Sequence, residues 1–242
     1  MPHLTVVAPL FNEAACVEAL MRRVAAAVTP ITPDWTLHLV DDGSSDATWA
    51  MVAAAAAAER RIVGLRLGQN VGQFTAIRAG LSTCDADWVV VMDGDLQEPP
   101  ETIPALYEVA LAGHDLVLAR KVARNQPRTQ LALTAVFYRA LNMLASERYD
   151  PGVGNYRLLS RRNVAWVLDY GVDSWLYGLL GDPALPRALV DFEHSARHAG
   201  ETSYRWGRRL HMAMTGLRDA VAPGPPLAQS PPRFAIAERT DG

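Results

Sequence analysis

Two aspartates one residue apart, Asp93 and Asp95, flank Gly94 directly after an apolar run at 88–92. An Asp-x-Asp placed there sets two hard carboxylate donors side by side, with no cation next to them in sequence. Such donors suit Mg²⁺ or Mn²⁺, which bridge phosphate oxygens and offset the charge that builds on a departing diphosphate. Gln97 follows, and Glu98-Pro99-Pro100-Glu101 then stops the loop, with a proline suited to the first position of a helix. Three other polar clusters share this design: Pro9-Leu10-Phe11-Asn12-Glu13, Asp41-Asp42-Gly43-Ser44-Ser45-Asp46 and Gln69-Asn70-Val71-Gly72-Gln73. Capping by Ser45 or Asp46 and a turn at Gly43 account for single residues. Four polar loops in the same relation to their strands point to one shared site.

Each cluster follows a β-rich run. Candidate strands cover 4–8, 36–40, 62–67, 88–92 and 115–118, and helical stretches cover 13–28, 47–59, 73–81 and 100–112. Strands that are apolar throughout, not alternating, imply burial on both faces of a largely parallel sheet. The repeated β-α order predicts an α/β doubly wound layer, in which ligands bind beyond the carboxyl ends of the strands.

The bulk numbers narrow the partners. A chain of 242 residues with net charge −3 suits one large domain and argues against a nucleic-acid binder. The charge is unevenly spread, however. Arg120, Lys121, Arg124, Arg128, Arg139, Arg148, Arg157, Arg161 and Arg162 face only Glu147 and Asp150 in the same stretch. Such a block is either a solvated face or a surface for an anionic partner. Cys16 and Cys84 have no metal or redox spacing, so free thiols are expected. Neither a signal peptide nor a membrane-spanning apolar run is expected, which points to a cytoplasmic protein, with attachment to the inner face of a membrane left open. Residues 129–145 predict an amphipathic helix that either packs on the core or lies in a membrane interface. From 222 the proline-rich tail predicts a mobile segment.

In this order the motifs resemble family 2 glycosyltransferases of the GT-A fold, in the branch of dolichol-phosphate mannosyltransferase and bacterial polyprenyl-phosphate glycosyltransferases. The matching stretches are 6–13, 39–48, 70–73 with Ala79-Gly80-Leu81, 90–101, Asn155-Tyr156-Arg157-Leu158-Leu159-Ser160-Arg161, and Arg197 through Tyr204. The resemblance implies a Rossmann-like, mostly parallel sheet flanked by helices, with amphipathic helices in the C-terminal half. It divides the chain into one domain over 1–221, donor half 1–119 and acceptor half 120–221, with a flexible tail at 222–242.

The resemblance also implies roles. Pro9, Phe11, Glu13, Asp41, Asp42 and Gly72 would bind the nucleotide, Phe11 standing where the family often has tyrosine. Asp93 and Asp95 would hold Mg²⁺ or Mn²⁺ and the diphosphate, with Gln97 as the third catalytic residue. Gln73 stands where many relatives have lysine. Arg120, Arg124, Arg128 and Arg157 would bind the acceptor, since a guanidinium fork fits phosphate oxygens. The implied reaction is an inverting transfer from a nucleotide sugar, UDP favoured, to a polyprenyl phosphate. An anionic acceptor needs no strong general base, and Asp173, the nearest candidate for one, is better explained as a helix cap. The alternatives are a soluble acceptor and an inactive nucleotide-sugar-binding module. Haloacid-dehalogenase phosphatases and receiver domains share an acidic strand end, but Leu96-Gln97 and the chain length oppose them.

Overall fold

The computed structural model describes residues 2–122, 138–139, 142–143, 150–170, 181–193 and 234–241. At its centre lies β1 (Leu4–Leu10), paired in parallel with β2 (Trp35–Asp41) on one side and β4 (Trp88–Val91) on the other. Beyond β2 comes β3 (Ile62–Leu67), again parallel. Beyond β4 the direction reverses: β6 (Val153–Ser160) is antiparallel to both β4 and β5 (Leu116–Val122), and β7 (Arg187–Glu193) runs parallel to β5. A last short strand, β8 (Ile236–Arg239), pairs antiparallel with β3. The sheet order is β7-β5-β6-β4-β1-β2-β3-β8. The mostly parallel α/β expectation holds, and all five expected strands are present within a few residues of their expected ends.

Every residue of β1 is buried, because both sheet faces are covered. Leu4, Val6, Ala8 and Leu10 join a core with α1 (Ala14–Val28), α2 (Thr48–Ala58) and α4 (Ile103–Leu111), while Val7 points into a second core with α3 (Gln73–Ser82) and α5 (Arg161–Tyr170). That is why the strand reads as an uninterrupted apolar run. Helix α3 approaches closely: a Cβ on Gly80 would lie 2.4 Å from Val7 Cγ1. The 3-10 turn Pro100–Thr102 leads into α4, as the paired prolines predict.

The tail departs from expectation. Residues 222–233 lie outside the described residues, but 236–239, expected to be mobile, supply an edge strand of the sheet. Only Tyr138, Arg139, Asn142 and Met143 of the expected helix at 129–145 are described, all helical. Among the described residues no helix is long and apolar enough to cross a membrane. Cys16 and Cys84 are both free thiols.

His38 on β2 is 5% exposed, with Nδ1 3.1 Å from Thr83 Oγ1. Burial pulls its pKa from 6.5 to about 4, so the native state keeps it neutral while an unfolded chain takes up a proton. Its stabilising contribution is complete above pH 6.5 and is lost as pH falls towards 4. Urea titrations should show a loss of about 3 kcal/mol from this group between pH 7 and pH 4. His38→Asn should flatten that part of the profile.

Candidate functional site

The register of three strands fixes where the acidic loop emerges. Val91 of β4 pairs with Val7 of β1 and with Arg157 of β6, so Asp93 leaves the sheet beside Pro9 and Asn155. The loop lies against the end of β1, since a Cβ on Gly94 would sit 2.3 Å from Leu10 Cδ2 and 2.9 Å from the Pro9 carbonyl oxygen. Leu96 adopts a left-handed backbone, φ 62°, a conformation that costs a leucine on the order of 1 kcal/mol or more. Its side chain is 1% exposed in the core. Asp95 and Gln97 on either side stay half-buried, and Asp95 Oδ1 accepts the Gln97 N–H at 3.0 Å. Apolar burial of Leu96 thus holds the turn that carries two polar neighbours.

Asp93 is gripped from several sides. Its Oδ1 accepts from Gln73 Nε2 at 2.5 Å and from Asn155 Nδ2 at 3.2 Å, and its own N–H donates to Glu98 Oε2 at 2.7 Å. Glu98 is itself buried. Burial first, then the Asp93 charge, pushes its carboxyl well above the usual carboxylate range, while Arg157 opposes the shift. Burial lowers the Arg157 guanidinium to about 10, with Glu98 and Asp93 acting against it. At 2% exposure Arg157 is an interior counter-charge for these acids. Arg157, expected among the acceptor-binding residues, thus lies buried on β6 in the field of Glu98 and Asp93.

The second half of the site forms at β2. Asp41 is fully buried, with Oδ1 accepting the Ser44 N–H at 3.1 Å and Oδ2 lying 3.5 Å from Arg66 Nε. Asp42 holds the following loop, Oδ1 accepting from Val71 N at 2.8 Å and Oδ2 from Gly72 N at 2.9 Å. Gly43 permits this, having φ 69° and so little room that a Cβ would meet the Gln69 carbonyl carbon at 2.6 Å. Asn12, at φ 55°, accepts the Ser45 N–H through Oδ1 at 2.9 Å and donates its own N–H to Ser44 Oγ at 2.9 Å. Asp46 accepts from the Thr48 N–H at 2.9 Å in an Asx turn ahead of α2, whose N-cap position is held by Ala47 and not by Ser45 or Asp46 as expected. Glu13 donates its N–H to Thr48 Oγ1 at 3.0 Å. Pro9 is buried and Phe11 half-buried on the same edge.

The structure therefore brings Pro9, Phe11, Glu13, Asp41, Asp42, Gly72, Asp93, Asp95 and Gln97 to one sheet edge. Arg120 is separate from them, paired with Asp191 Oδ1 at 2.6 Å and Asp150 Oδ2 at 3.5 Å. Its neighbour Lys121 is the residue near the acidic loop: burial lowers its pKa while the Glu98 and Asp95 charges raise it. Arg124, Arg128, Asp173 and 197–204 lie outside the described residues. Glu98 and Asn155 were missed as site residues. Glu98 sits beside two helix-opening prolines, and Asn155 reveals its role only once β6 is laid against β4.

The donor set fits a divalent metal. Among the described residues no group of three or more His, Cys, Asp or Glu side chains forms a metal cage. Two carboxylates at a loop mouth, with the remaining positions left to water and phosphate oxygens, match what Mg²⁺ asks of a protein, and Mn²⁺ accepts the same hard donors.

Residues 5–165 match the family model described as Glycosyl transferase family 2. The undecaprenyl-phosphate 4-deoxy-4-formamido-L-arabinose transferase of Aeromonas hydrophila subsp. hydrophila is 44% identical over 207 residues, covering 83% of this chain and 62% of that protein. The enzyme of the same name from Photorhabdus laumondii subsp. laumondii is 29% identical over 215 residues, covering 86% of this chain and 65% of the relative. The chain thus spans less than two thirds of the length of these relatives. Glucosyl-3-phosphoglycerate synthase from Mycobacterium tuberculosis, solved with Mn²⁺, UDP and phosphoglyceric acid, shares the fold with a TM-score of 0.61 at 20% identity, covering 91% of this chain and 79% of that one. Mannosyl-3-phosphoglycerate synthase from Rubrobacter xylanophilus does so with a TM-score of 0.58 at 21% identity, covering 91% and 73%.

Removing the buried cation should be costly. Arg157→Met leaves Asp93 and Glu98 without their interior counter-charge, and the expected loss is about 3–5 kcal/mol of folding stability. Urea unfolding at pH 7 reads it. A change below about 1 kcal/mol would contradict an interior counter-charge role.

Proposed function

The chain belongs to glycosyl transferase family 2, and on that premise we propose that it moves a sugar from a nucleotide sugar, UDP favoured, to the phosphate of a polyprenyl phosphate. The observation that carries this reading is the paired carboxylates Asp93 and Asp95 at the sheet's carboxyl edge, fixed by Gln73, Asn155, Glu98 and the left-handed turn at Leu96. The acceptor follows from the undecaprenyl-phosphate transferases to which the chain is similar at up to 44% identity. A fold shared with a synthase solved with Mn²⁺ and UDP agrees with the donor side.

Asp93 and Asp95 would hold Mg²⁺ or Mn²⁺, whose chemistry is to neutralise charge developing on the diphosphate. In the proposed step an acceptor phosphate oxygen bonds to the anomeric carbon from the face opposite the diphosphate. The bond from that carbon to the diphosphate oxygen breaks, the nucleoside diphosphate leaves with the electron pair, and the configuration inverts. The attacking oxygen already carries charge at neutral pH, so no protein base has to take its proton. The protein's work is orientation and electrostatics. Pro9, Phe11, Glu13, Asp41, Asp42 and Gly72 line the nucleotide end. Lys121, like the buried Arg157, lies in the field of the acidic loop, and Arg124 and Arg128 are candidates for the acceptor phosphate. We place the reaction at the inner face of a membrane, with the chain bound at its surface.

Asp95→Asn should lower transfer from a UDP-sugar to undecaprenyl phosphate by about 100-fold or more, equivalent to ~3 kcal/mol of transition-state stabilisation. It should also abolish the Mn²⁺-dependent part of the thermal shift given by UDP. Flotation with anionic vesicles tests the surface contact. Full activity in Asp95→Asn, or no shift with UDP-, GDP- or dTDP-sugars in the wild type, would sink the donor reading. Activity confined to water-soluble acceptors, with no vesicle binding, would sink the acceptor reading.

A further inference from the structure

Strand β8 lies beyond the residues that match the family model, yet it is stitched to the strand behind the nucleotide end of the site. Thr240 N donates to the Gly64 carbonyl at 3.1 Å, and Gly64 N donates to Thr240 Oγ1 at 2.8 Å. At the other end of the pairing, Gly68 N donates to the Ala235 carbonyl at 3.2 Å. Gly68 begins the loop whose Val71 and Gly72 N–H groups are held by Asp42.

The side chains continue the connection into the sheet. Glu238 on β8 accepts from Arg66 Nη1 at 2.8 Å through Oε1 and from Trp49 Nε1 at 3.1 Å through Oε2. The Arg66 guanidinium lies 5.8 Å from the Trp49 ring centroid, within cation–π range. Its Nε lies 3.5 Å from Asp41 Oδ2, an ion pair without a hydrogen bond. That oxygen is buried and accepts no hydrogen bond among the described residues. A buried carboxylate oxygen in this position depends on a correctly placed cation. Left alone, Arg66 is a long, half-exposed side chain with many rotamers. Glu238 and Trp49 select the one that faces Asp41.

We propose that β8 is a brace for the nucleotide end of the site, and that Glu238 and Arg66 are positioning residues that set the orientation of Asp41. The proposal rests on the reading that Asp41 faces the nucleoside. It gives the C-terminal segment a part in donor affinity through Arg66 and Asp41. The diphosphate end has its own side-chain holders in Gln73, Asn155 and Glu98.

Glu238 is half-exposed, so its truncation opens no core cavity. Calorimetry with UDP and Mn²⁺ on the full chain should show affinity about 3–10-fold weaker in Glu238→Ala and weaker again in Glu238→Lys, which repels Arg66. KM for the nucleotide sugar should rise with kcat held. Affinity for Mn²⁺ with inorganic pyrophosphate should stay within twofold of wild type, and the urea midpoint should stay unchanged. Glu238→Asp, which keeps both acceptor oxygens, should recover part of the UDP affinity. UDP affinity within twofold of wild type in both Glu238→Ala and Glu238→Lys would overturn the brace while leaving the nucleotide site intact. A lowered urea midpoint with unaltered UDP affinity would reduce β8 to a structural strand and overturn it equally. A wild type that binds Mn²⁺-pyrophosphate but not UDP would instead remove the nucleoside reading on which the brace rests.

Discussion

Asp93 can be presented at the edge of the sheet only because its backbone N–H has a buried acceptor in Glu98 and its carboxylate has donors on two sides. Each partner comes from a different element: Glu98 from the loop after β4, Gln73 from the first turn of α3, Asn155 from β6. The antiparallel insertion of β6 between β4 and β5 is therefore tied directly to chemistry. A parallel neighbour in that slot would put its carboxyl end, and another loop, where Asn155 and Arg157 now stand. The reversed strand instead carries its early residues to the edge where the acidic loop emerges and its later residues, Leu158 and Leu159, into the two cores.

The acids concentrated there must still be tolerated by the fold. Asp93, Asp95 and Glu98 share one short loop, and two of them are close enough to raise the pKa of the third. Arg157 offsets this from below without occupying the mouth where a metal and a diphosphate would sit. An exposed cation in the mouth would compete with the metal for the same carboxylates. An interior one lowers the cost of gathering the acids and leaves their outer side to the ligand.

The strands near the centre were legible because burial on both faces leaves a plain mark. The run at 62–67 is β3 to the residue, and the candidate strands at 4–8 and 36–40 fall short of β1 and β2 only at their ends. The polar loops were legible for the complementary reason: a carboxylate directly after an apolar run has to be explained by partners, and Asp41 and Asp42 are buried on theirs while Asp93 and Asp95 stay half-buried at the edge. Arg157 was not. In the chain it belongs to a basic block, and only pairing with Val91 and Leu118 turns it inwards. β8 escaped because Ile-Ala-Glu-Arg is short, half charged and preceded by prolines, which reads as tail. What makes it a strand is the open edge of β3, a property of the folded sheet that no local pattern carries. Glu98 was hidden differently, by two prolines that explain its neighbourhood well enough without it.

The two halves of the site meet at the start of α3. Gly72 donates its N–H to Asp42, and the next residue, Gln73, donates its side-chain amide to Asp93. One peptide unit thus links the Asp42 loop to the Asp93 loop. Gly72 takes φ 93° to make that corner, a conformation open to glycine and strained for other residues. The N-terminus of α3, the positive end of its dipole, starts at this corner. A lysine in place of Gln73 would add a full charge at this joint. Glutamine instead donates a neutral hydrogen bond to Asp93, so the joint orients the carboxylate without placing a cation beside it.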